Sequence, residues 1–225
     1  DAPLDSSLLH SSRLVILDLP VDRVFGLQFK DGWICKGSEQ IQPIDRWDSS
    51  TVTWIDHHKS SIDSHPKEIP GYRIDGVAAC RLAWQWFTFT DVARANPDTV
   101  LPEKSRFIDR NVNEPIAVRL AGEYDIWDKR DPRAELFQHG LRSRELTPEI
   151  WDTMLGNVTE NSITVDTLLQ GGTVLQYART HENASIIKEI GFTFKWEGLT
   201  FLCCNAVRYN SLLFTAGLTP EHDAC

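Results

Sequence analysis

A carboxylate and two imidazoles stand in a row at Asp56-His57-His58, directly after Thr51–Ile55 (TVTWI). That run is rich in β-branched residues and reads as a buried strand. Upstream, Arg13–Asp18 (RLVILD) is a second short apolar run that reads as a buried strand and also closes on a carboxylate, Asp18. In open parallel sheets, ligands bind outside the carboxyl ends of the strands. Two neighbouring strands ending in this way would gather carboxylates and imidazoles around one crevice. Mixed oxygen and nitrogen donors suit a divalent transition ion, and Mn²⁺ accepts the nitrogen more readily than Mg²⁺ does. The competing reading is a surface loop with a chance pair of histidines. The strand-end setting and the second strand-end Asp favour the crevice.

The elements that must position these groups follow from periodicity and punctuation. Val21–Lys30 reads as a short helix, and Gly32, Gly37 and Pro43 punctuate a mixed segment after it. Ser60 to Gly71 reads as a polar loop with Pro66 and Pro70. From Gly76 to Phe89, apolar residues recur at helical spacing (Val77, Cys80, Leu82, Ala83, Trp84, Trp86, Phe87). Further helices are expected over Ser105–Asn111, Ile116–Tyr124, Arg133–Leu141 and Pro148–Leu155, several with proline near the first turn. Ile163–Ile190 reads as one long helix, or as two interrupted at Gly171-Gly172. Phe192–Trp196, the turn Glu197-Gly198 and Leu199–Asn205 form a β-hairpin signature. The fold class is therefore α/β, a mostly parallel sheet flanked by helices over residues 1–160. A linker helix over 161–190 and the start of a C-terminal subdomain over 191–225 complete the expected organisation.

Composition narrows the function. The chain has 225 residues with 23 Lys plus Arg against 32 Asp plus Glu, a formal charge of −9. An acidic chain without a basic block is poorly suited to duplex DNA, whose binding rests on many phosphate contacts. No stretch approaches about 18 uninterrupted apolar residues, so no membrane-spanning helix is expected. The five cysteines are scattered and form no C-x-x-C, which suggests reduced thiols and a cytoplasmic location. There is no G-x-S-x-G for serine hydrolysis and no P-loop.

Trp54-Ile55-Asp56-His57-His58-Lys59-Ser60 resembles the signature of the DHH phosphoesterase superfamily, nearest to its oligoribonuclease and cyclic-nucleotide phosphodiesterase-like branch. Val15-Ile16-Leu17-Asp18 is similar to the second motif of that branch. The stretch from Asp75 to Trp84 (DGVAACRLAW) is similar to the small-residue helix after the signature. Ala121–Asp128 (AGEYDIWD) resembles the fourth motif, followed by Phe137–Leu141 (FQHGL). The likeness covers roughly residues 13 to 155. It implies a two-metal phosphohydrolase that uses two Mn²⁺ ions, with Mg²⁺ as the second choice. Asp18 would bridge the ions, while His57 and Asp125 would complete the shell of one. His58 would meet the scissile phosphate or leaving oxygen, and Asp56 would orient an imidazole. Asp128, three residues after Asp125, is the alternative ligand. Lys59 and Arg81 are candidates for holding substrate phosphate.

Two features depart from the family. Its first motif, a His-x-x-Asp-x-Asp loop, belongs tens of residues before Asp18, and only seventeen residues precede Asp18 here. The C-terminal Gly-Gly-Gly-His-like loop has no counterpart, and Gly171-Gly172-Thr173 does not resemble it. The expectation is an internal fragment of a longer enzyme, an incomplete DHH domain carrying about half of the metal site. The expected activity is cleavage of phosphodiester bonds in short single-stranded oligonucleotides or nucleotide second messengers. The alternatives are pyrophosphatase-like or bisphosphate-phosphatase-like activity and a catalytically dead remnant that binds a nucleotide or a protein. The tryptophans, including Trp84, Trp86 and Trp196, read mainly as core. Trp127, beside Asp125, reads as core first and as a base-stacking surface second. The run Asp128–Arg133 reads as a solvated charged face or the start of a helix.

Overall fold

The computed structural model describes residues 14–20, 27–36, 38–43, 46, 52–95, 100–156, 163–207, 209 and 211–225. The chain divides into two compact units. One contains the described residues up to Ala134 together with those from Thr147 to 156. The other contains Glu135–Leu146 and Ile163–Cys225.

The first unit is α/β. Strands β1 (Leu14–Leu17), β5 (Val52–Asp56) and β6 (Gly71–Arg73) form a parallel sheet in the order β1-β5-β6. Strand β5 is buried along its whole length, so its alternating residues feed two cores. Val52 and Trp54 pack with Ile16, Ile34 and Ile69, while Ile55 packs on the other side with Tyr72, Val77, Leu82 and Phe107. Helix α1 (Lys59–Ser64) lies in the crossover from β5 to β6, and α2 (Ala79–Ala95) and α3 (Lys104–Ile108) follow. Gly71 opens β6 at φ +144°, where an added Cβ would fall 1.8 Å from the Trp54 carbonyl oxygen. Only glycine permits that close approach of the two strands.

Several expectations are corrected here. Strand β1 was expected to be buried, but Val15 and Leu17 are exposed and only Ile16 is fully covered. Arg13, its expected first residue, lies outside the described residues. So do residues 21–26 of the expected helix Val21–Lys30, and Gln28–Lys30 is strand, not helix. It begins an antiparallel meander of β2 (Gln28–Lys30), β3 (Trp33–Lys36) and β4 (Glu39–Pro43). The turn between β2 and β3 is Asp31-Gly32, both at positive φ (52° and 78°), as a two-residue hairpin loop of type I′ requires.

Helices α4 (Ile116–Asp125) and α6 (Pro148–Leu155) complete this unit. Helix α4 is tied down by buried charge. Glu114, just before it, accepts two 3.0 Å bonds from Arg81 Nε and a further bond from Nη2. Glu123, wholly buried, accepts from Arg110 (2.7 and 2.9 Å) and from Arg119 (3.2 Å). Arg119 also reaches Asp131 at 3.0 Å, and Asp131 is held by Arg133 as well. The run Asp128–Arg133 is thus not wholly solvated, because Asp131 is buried within this lattice.

In the second unit, α5 (Arg133–Arg142, counted from Glu135) meets α7 (Ile163–Ile190). Helix α7 runs unbroken for 28 residues through Gly171-Gly172. Gly172 is there for contact: a Cβ on it would lie 1.8 Å from the Leu136 carbonyl oxygen. The hairpin of β7 (Gly191–Trp196) and β8 (Leu199–Cys204) follows the long helix, with Glu197-Gly198 as its turn. Trp196, expected in the core, is exposed on this hairpin. Among the described residues, no helix is long and apolar enough to cross a membrane.

The charge lattice makes a prediction about acid stability. Burial pushes the Asp131 carboxyl up, but hydrogen bonds from Arg133 and Arg119 outweigh it and hold the group at about 2, below the ordinary 3.8. A carboxyl depressed by folding stabilises fully above its unfolded pKa and loses that contribution as pH falls through its folded value. Asp131→Asn should therefore lower the urea midpoint at pH 6 and flatten the loss of stability between about pH 4 and pH 2. Unfolding curves across that range check both outcomes.

Candidate metal centre

The carboxyl ends of β1 and β5 are adjacent because the strands pair in parallel, with Leu17 opposite Ile55. The ladder runs one step further. The Asp18 N–H donates to the Ile55 carbonyl at 2.9 Å, which brings Asp18 level with the residues that follow β5. Asp18 then turns with φ +59°, a left-handed conformation uncommon outside glycine and better tolerated by Asp. A second bond holds the turn: the Trp54 indole N–H donates to the Leu19 carbonyl at 3.0 Å. Trp54 was legible in the sequence only as a core residue, and nothing in the pattern signalled this duty.

Five of the expected site residues meet here. His57 Nε2 lies 3.2 Å from Asp18 Oδ1 and 3.4 Å from Asp125 Oδ2. Asp18, His57 and His58 each present a ligand atom within 4.8 Å of the others. Asp125 arrives from the last turn of α4, whose end is fixed by the Glu123–Arg110–Arg119 contacts. Asp56 sits beneath, fully buried. Its Oδ1 accepts from the backbone N–H groups of His57 (2.7 Å) and His58 (3.1 Å) and pairs with His58 Nδ1 at 2.8 Å. That pairing occupies Nδ1 and leaves the other ring nitrogen of His58 to act outward. The two imidazoles lie with ring centres 4.5 Å apart.

The electrostatics are those of a cluster short of positive charge. Burial raises the Asp18 carboxyl above its ordinary value. The two imidazoles oppose this, and the nearby carboxylates of Asp125 and Asp56 add to it. The bond to Asp56 is the main cause that raises His58. Asp56 Oδ2 is buried with no hydrogen-bond partner among the described residues.

This donor set fits a divalent ion. Two donors each about 2.1 Å from one ion lie about 3.0 Å apart at an octahedral right angle and about 3.4 Å apart at a tetrahedral one. The spacings of 3.2 and 3.4 Å from His57 to the two carboxylates fall in that range. Among the described residues, Asp18, His57 and His58 could together hold one ion. Asp1, Asp5 and His10, the acidic and imidazole residues upstream, lie outside the described residues.

Other expected residues lie elsewhere. Arg81 does not reach the crevice. It is 2% exposed, bonded to Glu114 and stacked over Phe107 with 5.1 Å to the ring centre. Lys59 pairs with Asp63 at 2.8 Å on the exposed side of α1. Asp128, the alternative to Asp125, is bonded to Arg130 through both oxygens, at 2.9 and 2.6 Å. The His65 imidazole bonds the Ser61 carbonyl at 2.7 Å and packs against Trp54, apart from the cluster. Comparison with protein-family models, curated proteins and solved structures yields no match to this chain.

The hold of Trp54 on the Asp18 turn can be tested. Trp54→Phe keeps most of the core volume but releases the Leu19 carbonyl. Mn²⁺ affinity, read from the paramagnetic resonance of free Mn²⁺, should fall about tenfold, the lower end for losing a group that supports a ligand. Unchanged affinity would show that the strand pairing alone holds the turn.

Proposed function

We propose that this protein is a metal-dependent phosphohydrolase of the DHH type, acting on phosphodiester bonds in short oligonucleotides or nucleotide second messengers. The observation that carries the reading is His57 Nε2 poised between Asp18 and Asp125 at 3.2 and 3.4 Å, with His58 locked beside it on a buried Asp56. Asp18, His57 and Asp125 are the residues that would hold Mn²⁺, or Mg²⁺ as the second choice. Bound divalent ions neutralise charge on phosphoryl oxygens and make water a stronger acid.

The chain's own residues supply the rest. Asp18 projects from a strained turn that two bonds from β5 hold in place. Asp56 fixes the His58 ring and lies too deep to touch substrate. His58, with half of its side chain exposed, would donate a proton to a leaving oxygen. Such acid catalysis contributes about 10²- to 10⁴-fold.

One observation favours a second reading. The donors gathered among the described residues could hold one ion, which would also suit a protein that binds a nucleotide through one cation without cleaving it.

The test is Mn²⁺-stimulated hydrolysis of bis-p-nitrophenyl phosphate and of a short RNA, with metal binding measured alongside. Asp18→Asn should lose turnover and metal affinity together. His58→Ala should keep its metal and lose about 10²- to 10⁴-fold in rate. Metal binding without turnover in the unaltered chain would support the binding protein, and absence of metal binding would overturn both readings.

A further inference from the structure

Two residues beyond Asp125, the chain exposes a large aromatic ring. Trp127 is 60% exposed, the opposite of the core position expected for it first. Its backbone has φ +57°, and its N–H donates to the Tyr124 carbonyl at 3.1 Å, so the ring is carried on a tight turn at the end of α4. The Tyr124 ring backs it at 6.0 Å between centres and 27° between planes. Lys129 brings its ammonium to 5.0 Å from the ring centre. The turn is anchored by Asp128, whose N–H donates to the Glu123 carbonyl at 2.8 Å, and by the pair of Asp128 with Arg130. An aromatic face with a cation on a flexible stem is the pairing that proteins use to hold a base and its phosphate.

We propose that Trp127 is the stacking surface for a nucleobase of the substrate, with Lys129 as the cation that follows the adjoining phosphate. The proposal rests on the reading of the Asp18–His57–Asp125 cluster as a phosphodiester centre and narrows it to nucleotides over inorganic phosphates. Cα atoms two residues apart along the chain lie within about 7 Å of each other, so the backbone that carries the ring lies next to the residue whose carboxylate faces His57. A phosphate held at that cluster would have its attached nucleoside within reach of this turn. Inorganic pyrophosphate has nothing to place there.

The test separates the base from the phosphate. Adenosine 5′-monophosphate and ribose 5-phosphate carry the same phosphate, and only the first carries a base. Binding of each to the full chain with Mn²⁺ present is measured by calorimetry. The unaltered protein should prefer the nucleotide by about 5- to 150-fold, the range that one stacked base supplies. Trp127→Ala should remove that preference and leave ribose 5-phosphate affinity unchanged, while Trp127→Phe keeps most of it. Lys129→Met should weaken both ligands alike. An unaltered protein without base preference, or an alanine variant that retains it, would overturn the proposal. Failure of the metal centre is read separately, as absence of Mn²⁺ binding before any nucleotide is added.

Discussion

One backbone hydrogen bond, from the Asp18 N–H to the Ile55 carbonyl, brings the carboxylate that closes the first strand to the paired histidines. It extends the β1–β5 ladder by a single step past the strand proper and sets Asp18 beside His57. The step would be impossible in an antiparallel pair, where the two carboxyl ends point in opposite directions. Parallel pairing puts both chain exits on one edge, and the residues that leave β5 there are the two histidines. A register shift by one residue would turn Asp18 to the other face of the sheet. That slip is opposed by burial, because β5 is covered on both faces and Ile16 must meet the core shared by Val52 and Trp54. The core therefore sets the register, and the register sets the site.

The sequence made the ends of the strands easier to read than their surroundings. Asp56-His57-His58 stood out because β5 is continuously apolar and stops abruptly at charge. The hairpin over 191–204 was legible because Glu197-Gly198 separates two β-rich runs. The same logic was present at Asp31-Gly32, between Gln28-Phe29-Lys30 and Trp33-Ile34-Cys35, yet the apolar residues there are too few to outweigh a helical reading of Val21–Lys30. Strand β1 misled in the opposite direction. An apolar run of that length reads as buried, but as described it has β5 on one side only and leaves Val15 and Leu17 to solvent. Gly171-Gly172 was read as a possible break because glycine weakens helices; what decides the matter is the approach of Leu136, which no local pattern reveals.

Arg81 and Trp127 failed as expectations for related reasons. Exposure belongs to the tertiary structure, and residue type is a weak guide to it. An arginine near a candidate site suggests phosphate, but Arg81 lies under α4 with Glu114 and is unavailable to any ligand. A tryptophan suggests core, but Trp127 follows the last turn of α4, where the chain reverses at positive φ and carries the ring outward. Helix α4 thus treats its two ends differently, with a buried ion pair before its first turn and an aromatic surface after its last.

The carboxylates of the first unit fall into two electrostatic groups, and the contrast bears on what the site needs. Glu114, Glu123 and Asp131 are buried, and each is met by at least one guanidinium within 3.0 Å. Burying such pairs costs desolvation that their attraction roughly offsets, so their service is to hold α4 and its following turn in one geometry. Asp18, Asp56 and Asp125 lie close together and are met by imidazoles instead. Burial and like charge raise the Asp18 carboxyl, which is the mark of a group whose compensation is incomplete. The imidazoles supply nitrogen donors, and nitrogen and oxygen donors at 3.2 to 3.4 Å spacing match the ligand separations of a coordination shell. Among the described residues, Glu114, Glu123 and Asp131 are thus answered by guanidiniums and the Asp18 cluster by imidazoles, and that second donor set is one that could take up a divalent cation.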